Sequence, residues 1–210
     1  MYQPQHFRED DPAVQHALVR AHPLGLLVTL GDKGLEANLI PFVIDPSAGE
    51  RGMLLGHLAR PNPQWRGFDP GVDVLVVFQG PEGYITPSWY ATKAESGKVV
   101  PTWNYVVVQV HGRMRVTEDP VWLRSQIESL TRLQEGNRAQ PWQVADAPAG
   151  YVEAQIRGIV GLEIEISRIE GKWKVSQNRP PADRPGIVAG LRTGGQADMA
   201  DLVEARRKPE

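Results

Sequence analysis

Cysteine is absent from this 210-residue chain, which excludes disulfides, thiolate metal ligation and cysteine nucleophiles together. Uninterrupted apolar runs are short as well, and none approaches the roughly 18–20 residues a helix needs to cross a bilayer. The opening segment MYQPQHFREDDP has neither a basic start nor an apolar stretch. No secretory signal is therefore visible, and a cytoplasmic protein without a membrane partner is expected. Excess charge of one sign is lacking too. The net charge is −2 with both signs interspersed, which argues against a surface built wholly for nucleic acid. The five histidines lie far apart with no HxH or HExxH spacing, so no metal site is expected. Neither a GxSxG elbow nor a GxGxxG turn occurs, and no catalytic residue can be named.

What is present reads as an ordinary globular chain, 41% hydrophobic and 23% charged, and long enough to bury a core. Asp10, Asp11 and Pro12 open a helix that runs to about Arg20 and stops at Pro23. A strand-rich block follows. Leu24–Leu30 and Leu35–Ile44 flank the turn Gly31-Asp32-Lys33-Gly34, with Pro41 marking an edge or bulge. Met53–Leu58 is a further strand, and VDVLVVFQ (72–79) reads as one buried on both faces. Gly80–Gly83 reads as a turn, and Trp103–Val116 as a long β-branched strand. A helix from Val121 to about Glu135 carries Leu123, Ile127, Leu130 and Leu133 as its buried stripe. Tyr151–Ile156 predicts a short helix, and Glu170-Gly171 the turn of a last hairpin. Two short helices near 184–192 and 197–206 follow, with a frayed ARRKPE end. Six or more closely spaced strands with helices between them predict a mainly β fold, a β-barrel with peripheral helices.

Four polar clusters flank these strands. In LGHLARPNPQWR (55–66), Arg60 and Asn62 at a strand end suit an anion such as phosphate, and a solvated turn suits them equally. YITPSWYATK (84–93) could border a planar aromatic ligand or simply pack its aromatics. In VPTWNY, Thr102, Trp103 and Asn104 open the long strand as ligand donors or as a plain turn. KWKVSQNRPPADR (172–184) begins a stretch of five cations against one acid, counted through Arg192. It suits phosphate or nucleic acid, though a charge run is more often a solvated face.

Taken in order, MYQPQHF, GHLARPNPQW, YITPSWY, VPTWNY with VHG, and KWKVSQN resemble the PaiB family of FMN-binding split-barrel proteins, known as negative transcriptional regulators. The resemblance spans 1–192. It implies a split β-barrel homodimer over 1–178, an extension with short helices over 179–210, and FMN as cofactor. Carried onto this chain, it makes Arg60 and Asn62 the phosphate contacts, with His57 on the strand leading to them. Asn38 and Pro41 would approach the isoalloxazine. Thr102, Trp103 and Asn104, and also Lys174, Gln177 and Asn178, would come from the partner subunit. A regulator with flavin as sensor or cofactor is the first functional expectation. DNA, bound directly or indirectly, is its partner, although no helix shows a clear basic recognition face. A flavin-dependent oxidoreductase or flavin reductase is the alternative. A haem-binding split-barrel protein with His57 or His111 as axial ligand is the second.

Overall fold

The computed structural model describes residues 1–206. The strands are β1 (Arg8–Glu9), β2 (Leu24–Gly31), β3 (Gly34–Asp45), β4 (Met53–Ala59), β5 (Val74–Ile85), β6 (Thr102–Thr117) and β7 (Ile159–Lys174). The helices are α1 (Pro12–Ala21), α2 (Gln64–Gly67), α3 (Lys93–Ser96), α4 (Pro120–Glu135), α5 (Ala149–Arg157), α6 (Arg184–Thr193) and α7 (Ala197–Ala205). Helix starts follow the expected chemistry. Asp11 Oδ1 accepts from the Ala13 N–H ahead of α1, and Asp119 Oδ1 from the Val121 N–H ahead of α4. Proline occupies the first helical position of both, where its missing N–H leaves no bond unmade.

The sheet has the order β1-β7-β4-β3-β2-β5-β6, and a further β7–β6 pairing closes six strands on themselves. The registers of β1 with β7, β2 with β3, β2 with β5, β3 with β4 and β4 with β7 are all antiparallel. The strand spacing predicted a β-barrel with peripheral helices, and the closed antiparallel sheet is of the split-barrel class that the family resemblance implied. The β2–β3 hairpin pairs from Leu24↔Pro41 to Gly31↔Gly34, around the two-residue turn Asp32-Lys33. Gly34 there has φ +95°, a conformation that a side chain would oppose.

The chain divides into two compact units, to both of which β5, β6 and β7 contribute residues. The larger holds His16–Phe78 and Gln109–Ile169. Its buried residues include Leu27, Ile40, Phe42, Ile44, Leu54, Val76, Phe78, Leu162 and Ile164, with the Phe42 and Phe78 rings edge to face at 6.0 Å. A satellite cluster of Leu123, Val144, Val152 and Ile156 joins α4 to α5. The other unit holds Met1–Gln15, Gln79–Val108 and the chain from Glu170 onward. There Trp173, Val175, Ile187, Leu191, Met199 and Val203 are buried, and Trp89 lies against Gly186 and Gly190.

Several local expectations are corrected. Gly80–Gly83 is not a turn but the interior of β5. Pairing with β2 ends at Val77, and a strand edge without that partner accommodates Pro81, which has no N–H to donate. Glu170-Gly171 likewise continues β7, because the strand exchanges β4 at Ile159–Glu165 for β1 at Gly171 and Lys172. Gly171 serves close approach: a Cβ there would meet the Trp173 ring at 2.8 Å and the Glu9 carbonyl at 2.9 Å. The Val74–Phe78 part of β5 alternates buried with half-buried residues, so only one face lies fully in the core. On α4 the stripe stops short of Leu133, which is exposed, and Gln126 is buried in its place. The expected fraying does not reach Arg206, which pairs with Glu9 and lies over the Trp173 ring; residues 207–210 lie outside the described residues.

Gly112 is the tightest point of the β6–β7 contact in the larger unit, since a Cβ would sit 2.1 Å from the Glu165 carbonyl oxygen. Gly112→Ala is expected to lower stability by about 1–3 kcal/mol through backbone displacement. Urea unfolding of the variant measures it, and an unchanged midpoint would contradict the close approach.

Candidate cofactor site

In the larger unit the HLARPNPQW segment is held together from within. The Arg60 guanidinium donates to the Arg157 carbonyl at 2.8 Å and the Ile159 carbonyl at 3.2 Å, and pairs with the Glu118 carboxylate. Asn62 Oδ1 accepts from the Gln64 N–H at 2.9 Å, the usual role of a helix-start Asn. Gln64, which no sequence pattern singles out, is fully buried. Its amide donates to the Leu27 carbonyl, the Thr29 hydroxyl and the Glu36 carbonyl, and accepts from Asn38 Nδ2 at 2.9 Å. Three of the five Arg60 N–H groups are thus engaged by a carboxylate and two carbonyls, and its charge is already paired with Glu118, which weakens the case for a phosphate grip here. Its partners lie 58 to 99 residues away in sequence, beyond the reach of motif reading.

His57 Nδ1 donates to Gln126 Oε1 at 2.7 Å, and Trp122 Nε1 donates to Glu163 at 2.7 Å. These two bonds seat α4 over the outer face of β4 and β7. Asn38 and Pro41 stand three positions apart on β3 and so point to opposite faces, which prevents both from meeting one ligand. Pro41 belongs to the outer face of the hairpin. There the cross-strand pairs Leu24–Pro41, Leu26–Leu39, Val28–Ala37 and Leu30–Leu35 lie side by side, and Leu75 and Val77 extend the row onto β5. Leu24, Leu26, Leu30, Leu35 and Leu39 are all exposed, Leu35 by 75%.

The smaller unit gathers the other predicted residues. Lys174 Nζ donates to Thr102 Oγ1 at 2.6 Å, and the Lys172 and Lys174 ammonium groups stand 5.2 and 5.7 Å from the Tyr105 ring centre. Arg179 lies 4.6 Å over the Tyr90 ring and donates to the Val100 carbonyl. Lys172 donates to the Tyr2 carbonyl. All three cations are therefore held by neutral acceptors, and none has a carboxylate partner among the described residues. Burial first, then the charges of Lys172 and Arg179, hold the Lys174 ammonium below the ordinary lysine pKa, against an opposing contribution from Tyr105. The Tyr90 hydroxyl beside Arg179 is buried without a hydrogen-bond partner, and burial raises its pKa. Trp103 stacks edge to face on Tyr84 at 5.9 Å, and both rings are about half exposed.

Two predicted donors in this region are already engaged. Asn104 and Ser176, both buried, bond each other at 2.9 Å, and Ser176 sits at φ +63° in the left-handed region. Gln177 folds back, accepting from the Val175 N–H and donating to the Trp173 carbonyl. Asn178 is exposed and makes no bond among those described. The rest of the cation run does not form a patch: Arg184 is buried and donates to the Val203 carbonyl, and Arg192 pairs with Asp201 and Glu204. Sequence reading noted Lys172, Arg179, Tyr84 and Tyr90 but could not single them out, because their juxtaposition depends on β7 lying beside β6. No group of three or more metal-ligating side chains occurs among the described residues. No described helix is long and apolar enough to cross a membrane.

The family model described as "Putative FMN-binding domain" matches residues 1–168. An uncharacterized protein of Emericella nidulans is 36% identical, with 92% of each chain covered. The Bacillus subtilis protease synthase and sporulation protein PAI 2 is 30% identical over the full length of both. Among solved structures, the FAD and heme binding protein of Mycobacterium smegmatis superposes with a TM-score of 0.58 at 17% identity, covering 87% of this chain and 80% of that one. The flavocytochrome Anf3 of Azotobacter vinelandii gives 0.56 at 13% identity, covering 80% and 69%. Those two likenesses concern the fold alone. Full-length identity to PAI 2 and the domain match together place this chain in the PaiB family of FMN-binding split-barrel proteins.

Proposed function

We propose that this protein binds FMN as a homodimer, and that Lys174, Arg179 and Lys172 hold the flavin phosphate. The observation that carries this reading is a cluster of three cations, none of them ion-paired with a carboxylate among the described residues, beside an orphaned buried hydroxyl at Tyr90. The nearby Asp183 carboxylate is taken up by the Thr92 N–H and hydroxyl. Such a cluster is electrostatically unfavourable alone and becomes favourable when an anion enters it. The exposed Tyr84–Trp103 pair next along the chain adds flat aromatic surface of the kind that suits a ring system. The homodimer is supported by the outer face of β2, β3 and β5, whose paired leucines form a contiguous apolar patch in water. Bound FMN would supply one- or two-electron transfer. The chain's own residues bind and orient it: Lys174 and Arg179 by charge, Thr102 by fixing the Lys174 ammonium. A regulatory role acting through the flavin or a partner fits better than direct reading of DNA, since Arg184 and Arg192 are engaged internally.

Protein purified with a flavin visible spectrum, and binding FMN more tightly than riboflavin, is the expected result. Lys174→Ala or Arg179→Ala should each weaken FMN by about 1.5–3 kcal/mol while leaving riboflavin nearly unchanged. Arg60→Ala should lower stability with much less effect on that preference. Equal affinity for FMN and riboflavin in the unmodified protein would overturn the phosphate assignment.

The pH dependence has a definite sign. Lys174 is charged below its lowered pKa and neutral above it, so the FMN preference is full near neutrality and declines as pH rises, beginning below 10.5. Lys174→Arg, permanently charged, should retain the preference across that window. A decline of the same size in that variant would assign the titration to another group.

A further inference from the structure

Beyond flavin binding, the larger unit carries a second candidate site that the cofactor reading does not use. The start of α4 and the end of α5 border a groove of about 730 Å³ whose lining includes Val121, Leu123, Arg124, Glu153, Ile156 and Arg157. That size falls within the range of about 300–1,000 Å³ typical of small-molecule sites. Its floor is apolar: Leu123 and Ile156 belong to the α4–α5 core cluster, and Val121 on the first turn of α4 is 76% exposed. An apolar residue so exposed on a helix that begins with a satisfied Asp119 cap has no packing role of its own.

Charge decides what fits. Three guanidiniums and two carboxylates surround the groove, and the Arg60–Glu118 pair neutralises one of each. Arg124, Arg157 and Glu153 have no ion-pair partner among the described residues, which leaves one excess positive charge. A singly charged anion matches that balance, whereas a dianion would face Glu153 without compensation. Arg60 connects this groove to the strand end, since its guanidinium also donates to the carbonyls of Arg157 and Ile159.

We infer that this groove binds an amphipathic monocarboxylate, its apolar body on Val121, Leu123 and Ile156 and its carboxylate between Arg124 and Arg157. Calorimetric titration of the purified full chain with octanoate, and with 1-octanol as the uncharged control, tests it. Octanoate should bind at one site per chain and about tenfold or more tightly than octanol. The double variant Arg124→Gln, Arg157→Gln should lose most of that difference. Val121→Asp should weaken both ligands, and all these variants should keep the FMN preference over riboflavin. Octanol binding as tightly as octanoate, or undiminished octanoate affinity in the double variant, would overturn the site. Lost FMN preference in the double variant would instead mean that the arginines serve the flavin, which also overturns it.

Discussion

Water cannot comfortably cover the outer face of the β2–β3 hairpin, and much of the molecule's arrangement follows from that. The hairpin is apolar on both sides. Leu27, Ile40 and Phe42 fill the core on one, while Leu24, Leu26, Leu30, Leu35 and Leu39 stand on the other. At about 25 cal/mol per Å² of apolar surface, leaving such a row wet forfeits several kcal/mol. On β4 and β7 the same outer face is covered by α4, seated by the His57–Gln126 and Trp122–Glu163 hydrogen bonds. On β2, β3 and β5 nothing in the chain covers it among the described residues. The uncovered rows of β2 and β3 carry no charged side chain from Leu24 to Leu30 and Leu35 to Pro41 on this face, a composition that suits a second copy.

A second constraint acts in the smaller unit. Lys172, Lys174 and Arg179 are brought together by β7 and the turn after it, and Ser176 holds that turn in a left-handed conformation braced by Asn104. A side chain in that conformation costs free energy, so the bracing bond and buried neighbours sustain it. The result is concentrated positive charge beside aromatic rings, with no ion-pair partner for these three cations among the described residues. On the proposed reading, fold and ligand are coupled here through electrostatics: the geometry keeps the cations close, and a bound anion would relieve their repulsion.

Much of this was legible in the sequence where the cause is local. The Asp11 cap, the turn at Asp32-Lys33 and the apolar run of β2 all depend on residues within a few positions. Gly171 and Pro81 misled for the opposite reason. Each resembles a turn residue, and only the change of strand partner, a long-range fact, reveals a continuous strand. Arg60 is the clearest case. Its residue type and place at a strand end suit a phosphate, yet Glu118 and two distant carbonyls occupy it. Gln64 went unnoticed because a glutamine between Pro63 and Trp65 carries no pattern, although it ties β2 to β3 through its side-chain amide. Of the cofactor residues expected from family likeness, Thr102, Trp103 and Lys174 fall in the cationic, aromatic region, while Asn104 braces the Ser176 hydroxyl and Gln177 serves the local backbone.

On the proposed reading, flavin binding and pairing through the open hairpin face belong to one assembly. Sedimentation velocity of the purified protein, followed both in the ultraviolet and in the flavin's visible band, tests it most directly. A single boundary at twice the chain mass carrying the flavin absorbance is expected, with a monomer boundary when Leu26 and Leu39 are both replaced by Asp. A flavin-loaded monomer in the unmodified protein, or a dimer that persists in the doubly substituted one, would contradict it.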